Sequence, residues 1–537
     1  MREAGKTLLD CVGELREAVD FLRYYAAELE ENHASRDAAG VFACISPWNF
    51  PLAIFTGQIS AALAAGNGVL AKPAETTGLI AQFAVSLMHQ AGVPKEVLIL
   101  LPGTGAEVGA MITSNPVVDG VCFTGSTHTA QAINRSMADN LAAGAPLIAE
   151  TGGLNAMIVD STALPEQAIT DILASAFQSA GQRCSALRLL YLQEDIAEPF
   201  LTMLFGAMDE LNVGNPAQFE TDIGPLIDAA SQSKISSHID RARSEGRLLK
   251  QLNTPKEGFF VGPAVLKVKG IEDLDEEIFG PVLHLATYRN ADFDKIIDAI
   301  NGKGFGLTFG LHSRIDERVQ QVIDGLDVGN IYINRNQIGA VVGSQPFGGE
   351  GLSGTGPKAG GPRYLNRFFK EECPNRADND GRLVSVKEIE RGFAAQSETV
   401  ARKVPVELPG PTGESNQYFL VPRQHVLCLG PGAQAAEAQA KRARQLGCNA
   451  LAIASGCTSG LDGRVGETTL KELKHLDAVV SWTNSAKSYR RALAGRDGPI
   501  VPLLCGEAFE HWLLLERHAC IDTTAAGGNA ALLGGTE

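Results

Sequence analysis

The chain has 537 residues, 45% hydrophobic and 20% charged, with a formal net charge of −16; at roughly 150 residues per domain this is a globular protein of three or four domains. The acidic surplus weighs against a nucleic-acid surface, which needs clustered Lys and Arg, and no run approaches the about 18 apolar residues of a membrane span. The ten cysteines show neither C-x-x-C nor metal-ligand spacing and the histidines no i, i+4 pair, so they read as reduced thiols of a cytoplasmic protein, and no metal is assigned.

In chain order, the first predicted element is a helix, LLDCVGELREAVDFLRYYAAELEE, with Leu8, Val12, Leu15, Val19 and Leu22 at three- and four-residue spacing. From position 40 strands, Gly/Pro turns and helices alternate: GVFACISPWNFP, LAIFTGQISAALAAG, NGVLAKPAE, ETTGLIAQFAVSLMHQAG, VLILLPGTG and DGVCFTGST. This is the pattern of a doubly wound parallel sheet, in which ligands sit at the carboxyl ends of the strands. Residues 151–330 continue in α/β style, a Gly-rich segment spans 346–362, the polar stretch after about 370 reads as a linker, and α/β patterning resumes at 404–537. DAVVSWTNSAKSYRRAL (477–493) with PIVPLLCGE parallels DGVCFTGSTHTAQAINR (119–135) with APLIAE. Either two βα units look alike by chance, or the second is a copy of the first that has lost its site.

Candidate chemistry clusters at turns. Cys184, in AGQRCSALR, sits beside Gly181, Arg183 and Ser185; a lone Cys is usually a small buried hydrophobe, but positive charge and backbone N–H groups would lower its thiol pKa toward the working range. Glu150, in LIAETGGLN, ends a strand and precedes two glycines that let the backbone approach a ligand. It is either a solvated carboxylate or the base of a two-step covalent reaction. Asn49, in SPWNFP, either caps its own turn or donates to an oxyanion. Lys72, Glu75, Gly103 and Ser126 fall at successive strand ends, as dinucleotide ribose and pyrophosphate contacts would. No G-x-G-x-x-G follows any of these strands. Glu277 and Phe279, in EEIFGPV, are otherwise a surface acid and a core aromatic.

SPWNFP, AKPAE, FTGST, ETGG, GQRCS and EEIFGPV, in that order across about 45–350, resemble the aldehyde dehydrogenase superfamily. The resemblance implies an α/β fold: a Rossmann-like NAD domain (1–151), an α/β catalytic domain (152–338), a substrate anchor loop returning to the NAD domain (339–370), a linker (371–403) and a C-terminal region (404–537). It implies Cys184 as nucleophile, Glu150 as thioester base, Asn49 and the Cys184 N–H as oxyanion donors, and Lys72, Glu75, Gly103, Ser126, Glu277 and Phe279 as NAD contacts. Glu75 would repel a 2′-phosphate and so favour NAD over NADP.

REAVDFLRYYA, ETGGLNAMIVDSTALPEQ, ASAFQSAGQRCSALR and GAVVGSQPFGGEGLSGTGPKAGGP resemble the L-glutamate γ-semialdehyde (Δ1-pyrroline-5-carboxylate) dehydrogenase module of bifunctional proline utilization A proteins. That resemblance implies a substrate carboxylate held by Arg183, Ser185 and the N–H groups of Gly339 and Ala340, with Phe50 and Phe347 around its aliphatic part. ELPGPTGESNQY (407–418) and IDTTAAGGNAALL (521–533) are similar to the tail of the longer members, where an inactive aldehyde-dehydrogenase-like domain covers a substrate tunnel. A flavin-dependent (FAD) proline dehydrogenase part is expected upstream, some relatives add a DNA-binding module, and the family's early strands are absent before REAGKT. The chain is therefore expected to be the C-terminal part of a longer protein, to fold poorly alone, and, in its parent, to be a homo-oligomer in the cytoplasm, peripheral to the inner membrane if the flavin part carries it there. Dehydrogenation of another acidic semialdehyde and a structural, inactive fragment are the competing readings.

Overall fold

The structure, a computed structural model, describes residues 1–33, 36–374, 376–396 and 405–524. The predicted first helix forms as α1 (Leu8–Asn32), opened by a capping box in which Thr7 and Asp10 satisfy each other's backbone N–H groups. Its apolar stripe does not face the core: Leu8, Val12, Leu15 and Leu22 are exposed, while Asp10, Glu14, Ala18, Phe21 and Tyr25 are buried. The buried acids find partners. The Glu14 carboxylate accepts the Leu52 and Ala53 N–H groups at the start of α2 (Ala53–Ala64) and pairs with Lys6 Nζ at 2.8 Å.

The first sheet is parallel, with β1 (Val41–Ile45), β2 (Gly68–Lys72), β3 (Leu98–Leu100), β4 (Gly120–Thr124) and β5 (Leu147–Glu150) in the order β3-β2-β1-β4-β5. Both faces are covered: Phe42 and Cys44 enter one apolar cluster, Ala43 and Ile45 another. Double burial explains why these strands read as continuous apolar runs.

The second sheet takes β6 (Ala156–Val159), β7 (Leu189–Gln193), β8 (Leu248–Gln251), β9 (Ala264–Lys267) and β10 (Val282–Tyr288). Two-residue strands β11 (Phe305–Gly306) and β14 (Glu350–Gly351) pair apart from it, and β12 (Thr308–His312) and β13 (Asn330–Ile333) complete its central part. It does not end there. From the C-terminal region, β15 (Val406–Leu408), β16 (Glu414–Pro422) and β22 (Leu514–Asp522) join it, giving ten strands in the order β15-β16-β22-β13-β12-β6-β7-β10-β9-β8.

The rest of the C-terminal region makes a third sheet from β17 (His425–Cys428), β18 (Asn449–Ala454), β19 (Leu461–Asp462), β20 (Ala478–Val480) and β21 (Leu503–Leu504). Its order, β19-β18-β17-β20-β21, repeats that of the first sheet, and the two segments of the sequence repeat supply the fourth and fifth strands of each. The helices that follow the fourth strands, Thr127–Asn140 and Ala486–Ala494, pack on each other, with Arg490 Nη1 donating to the Ala142 and Ala143 carbonyls. The stretch expected as a linker is partly helical. Val386–Ala394 buries Ile389 and Phe393 in the third sheet's core, because its polar residues occupy only the outer face. Residues 397–403 and the 525–533 part of the tail motif lie outside the described residues. No helix among the described residues is long and apolar enough to cross a membrane.

Candidate active site

The carboxyl end of β5, the loop before β7 and the segment after β13 meet around a cavity of about 640 Å³. It brings together eight of the residues singled out in the sequence: Cys184, Glu150, Arg183, Ser185, Gly339, Ala340, Phe50 and Phe347. α1 closes one side with Asp10, Glu14, Glu17 and Asp20, four acids that the sequence pattern gave no reason to place there.

The Cys184 loop is built on strain and held by buried donors. Ser179, Ala180 and Gly181 all have positive φ (56°, 55° and 66°), which the two non-glycine residues adopt only when their surroundings force it. A Cβ on Gly181 would lie 2.2 Å from the Gly280 carbonyl oxygen, so glycine is required there. Arg188, 1% exposed, donates to the Gly181, Gly280 and Arg183 carbonyls and twice to Glu277 Oε1. Asn155 Nδ2 donates to the carbonyls of Cys184 (2.6 Å) and Ala186 (3.0 Å). Asn49 is buried and caps no local turn; its Nδ2 crosses to the Gln182 carbonyl at 3.2 Å, beside Cys184.

Arg183 was expected to depress the Cys184 thiol, and the structure corrects this. Burial, then the nearby Glu277 and Glu150 carboxylates, push the thiol up to about 12. The Arg183 guanidinium is committed elsewhere, to Asp10 at 2.8 Å and Ser179 Oγ at 3.0 Å, and lies 5.2 Å over the Phe50 ring. Lys6 Nζ is 3.8 Å from the centroid of the same ring.

Glu150 is a buried carboxyl with divided partners. Oε2 accepts the Gly349 N–H at 2.9 Å, while Oε1 is buried without a partner among the described residues. Burial pushes its pKa up to about 8, opposed by the Gly349 N–H and by Lys358. Lys358 is itself desolvated and lowered to about 7, its Nζ held by the Gly329 carbonyl and Asn330 Oδ1. The glycines after Glu150 make room for neighbouring side chains. A Cβ on Gly152 would fall 1.8 Å from Glu277 Oε2, and one on Gly153 would fall 2.7 Å from Asn155 Oδ1.

The remaining candidates line the carboxyl ends of the first sheet. Lys72 Nζ donates to the Pro73 carbonyl at 3.0 Å, and burial lowers its pKa. The exposed Glu75 accepts the Gly105 N–H at 2.7 Å. Gly103 has φ +147°, and a Cβ there would lie 2.4 Å from Val108 Cγ2. Ser126 caps the Thr127–Asn140 helix through the Thr129 N–H. Glu277 and Phe279 stand on the Cys184 side: Glu277 pairs with Arg188, and Phe279 meets Trp48 edge-on at 5.7 Å. Glu277 is therefore no solvated surface acid. Arg188, Asn155 and Asp10 went unnoticed in the sequence; Asn155 and Arg188 carried a signal, as the last residues of the LIAETGGLN and AGQRCSALR segments.

A two-sided arrangement of this kind, with a doubly wound sheet opposite a buried thiol and carboxyl, is that of an aldehyde-oxidising dehydrogenase. The model of the aldehyde dehydrogenase family matches residues 1–372, and the chain belongs to that family. Among individual proteins, it is 44% identical to the bifunctional protein PutA of Salmonella typhimurium, over 99% of this chain and 45% of that protein. It is 38% identical to the 1-pyrroline-5-carboxylate dehydrogenase of Geobacillus thermodenitrificans, over 68% of this chain and 74% of that one. A crystal structure of a bifunctional proline utilization A protein superposes with a TM-score of 0.67 at 52% identity, covering 69% of this chain and 39% of that one. The Thermus 1-pyrroline-5-carboxylate dehydrogenase with bound NAD gives 0.64 at 36% identity, covering 68% and 75%. The chain thus spans just under half the length of the PutA relatives it matches.

Proposed function

We propose that this chain carries the second step of proline catabolism, the NAD-dependent oxidation of L-glutamate γ-semialdehyde to L-glutamate. The observation that carries the reading is the single cavity that joins Cys184, Glu150 with its unpartnered Oε1, and an anion-compatible wall of Arg183, Ser185, Gly339 and Ala340. Relatives named for 1-pyrroline-5-carboxylate dehydrogenase and PutA, and a structural neighbour with bound NAD, support it.

The residues at the strand ends fit a dinucleotide: an exposed carboxylate at Glu75 for ribose hydroxyls, and a capped helix start at Ser126 whose N–H groups suit a pyrophosphate. Lys72, Gly103, Glu277 and Phe279 complete that set in our reading. When bound, the dinucleotide supplies the two-electron acceptor for the oxidation. Cys184 gives its proton to solvent water and its sulfur bonds to the aldehyde carbon, placing negative charge on the carbonyl oxygen. Asn49 Nδ2 and the Cys184 N–H stabilise that charge without reorganising, because Asn49 is already fixed against the same loop. Oxidation leaves a thioester on Cys184. Glu150 then takes a proton from water at Oε1; the water oxygen bonds to the thioester carbon, the C–S bond breaks, and the thiol and the acid are released. Gly349 holds the other Glu150 oxygen throughout.

Residues 404–537 are, in this reading, a catalytically silent relative of the aldehyde dehydrogenase fold, since the loop between Gly506 and His518 holds no counterpart of Cys184. We infer an upstream proline dehydrogenase part, with its FAD, in the parent protein, which would be a cytoplasmic homo-oligomer. The test is reduction of NAD with γ-glutamate semialdehyde against succinate semialdehyde. The glutamate derivative should be preferred, and Cys184→Ala should abolish turnover. Turnover surviving that substitution refutes the mechanism, and equal use of the two substrates refutes the assignment of substrate.

A further inference from the structure

Adjoining the Glu150 side of the active site through Gly349 and Lys358, the first and third sheets' domains enclose a small cavity of about 80 Å³, between the loop before β5 and the β21–β22 region. Four arginines line it: Arg363, Arg367, Arg423 and Arg490. None of the four lies within ion-pair distance of a carboxylate among the described residues. The acids that line the cavity are already engaged. Glu350 is held by Arg517 at 2.6 Å, and Glu516 accepts the Tyr418 hydroxyl at 2.6 Å and the Lys358 N–H at 3.0 Å. Glu371, behind Arg367, accepts the Trp512 indole N–H at 2.7 Å.

Two of the four guanidiniums are incompletely satisfied. Arg363 Nη2 and Arg367 Nε are buried with no hydrogen-bond partner among the described residues, and Arg367 lies face-on over the Trp512 ring at 4.0 Å. Arg490, 7% exposed, spends Nη1 on the Ala142 and Ala143 carbonyls, and Arg423 donates only to neutral carbonyls, those of Trp512 through Nε, Asp477 through Nη1 and Thr355 through Nη2. A buried guanidinium N–H without an acceptor is costly, and several such cations together repel one another. Burial lowers Arg367, Arg423 and Arg490, with a smaller contribution from mutual repulsion and against the opposing pull of Glu371 on Arg367 and of Asp477 and Glu350 on Arg423. Water can solvate such groups but cannot neutralise them. A tetrahedral oxyanion can do both, and its acceptors suit planar N–H forks. At roughly 10–15 Å³ per water, the space suits a five-atom ion and excludes a nucleotide.

We propose that this cavity is a binding site for a tetrahedral oxyanion, inorganic phosphate or sulfate, which bridges the first sheet's domain to the C-terminal one. Arg363 and Arg367 approach it from the segment after β14, and Arg423 and Arg490 from the C-terminal region. The test is calorimetric titration of the whole chain with inorganic phosphate, in saturating NAD so that the dinucleotide site cannot answer, with sulfate and chloride arms at matched ionic strength. One saturable site for phosphate, absent with chloride, is expected. Arg367→Gln and Arg363→Gln should each weaken it at least tenfold, the second serving if the first does not fold. Sulfate competing at comparable concentration supports a generic oxyanion site; phosphate binding unmoved by sulfate overturns that breadth. An adventitious ion only, seen as no saturable binding or equal binding in wild type and variants, overturns the proposal.

Discussion

Arg188 is the side chain on which the Cys184 loop hangs. Replacing it with methionine keeps much of its length and removes five hydrogen bonds: two to Glu277 Oε1 and one each to the Gly181, Gly280 and Arg183 carbonyls. Loss of one partner from a buried ion pair costs about 3–5 kcal/mol. The Gly280 and Arg183 carbonyls keep the Val282 and Ala186 N–H groups, so it is the Gly181 carbonyl that adds about 1–3 kcal/mol, although neighbouring losses do not sum. Glu277 offsets part of this, since burial already raises its pKa and it can take up a proton once its partner is gone. A net loss of about 4–6 kcal/mol is expected, which for a cooperative unit of 150–250 residues lowers Tm by about 10–20 °C. Differential scanning calorimetry measures it, with Arg188→Lys as a partial rescue that keeps charge without the planar fork. A fall below about 3 °C in Arg188→Met would show that the loop's backbone conformation is held by something else.

Glu150, at about 8, is mostly protonated at neutral pH, so thioester hydrolysis should fall as pH drops below about 8; a single-turnover pH profile should lose this limb in Glu150→Gln. A carboxyl whose folded pKa lies above its unfolded one destabilises the fold once ionised, so the same variant should melt several degrees higher than wild type at pH 9 and not at pH 4. Gly348→Ala places a Cβ 2.8 Å from Glu150 Oε1, and steady-state assays should show turnover reduced by about tenfold or more from the displaced base. In Asp10→Asn the Arg183 guanidinium loses its charged partner, so KM for γ-glutamate semialdehyde should fall several-fold while KM for a neutral aldehyde stays constant; an unchanged ratio removes Arg183 from substrate recognition.

The inner strands of the first sheet were legible because they are buried on both faces and bounded by Gly or Pro, as in GVFACISP and DGVCFTGS, whereas the edge strand β3 exposes Ile99. The repeat was legible for the same reason, and the matching strand order gives it topological substance. The outward stripe of α1 was not, since periodicity marks an apolar face without saying what it meets. Nor was the destination of β15, β16 and β22, because pairing partners distant in sequence leave no local trace. In the site, residue types and turns pointed to Cys184, Glu150 and Asn49. The charge balance around Cys184 stayed hidden, because it depends on Arg183 choosing Asp10, 173 positions away, over the thiol beside it.

The register of β22 against β13 has a consequence for how the molecule comes into being. Asn330 lies opposite His518, and Ile333 opposite Ile521, so a strand at the heart of the second sheet stays uncovered on one edge until nearly two hundred further residues have been made. At ribosomal speeds of about 5–20 residues per second, that edge waits on the order of ten seconds or more. Through that interval β13 is a bare pairing surface on a nascent chain, open to intermolecular pairing. The long separation also predicts slow closure after denaturation, with aggregation competing until the final strand docks.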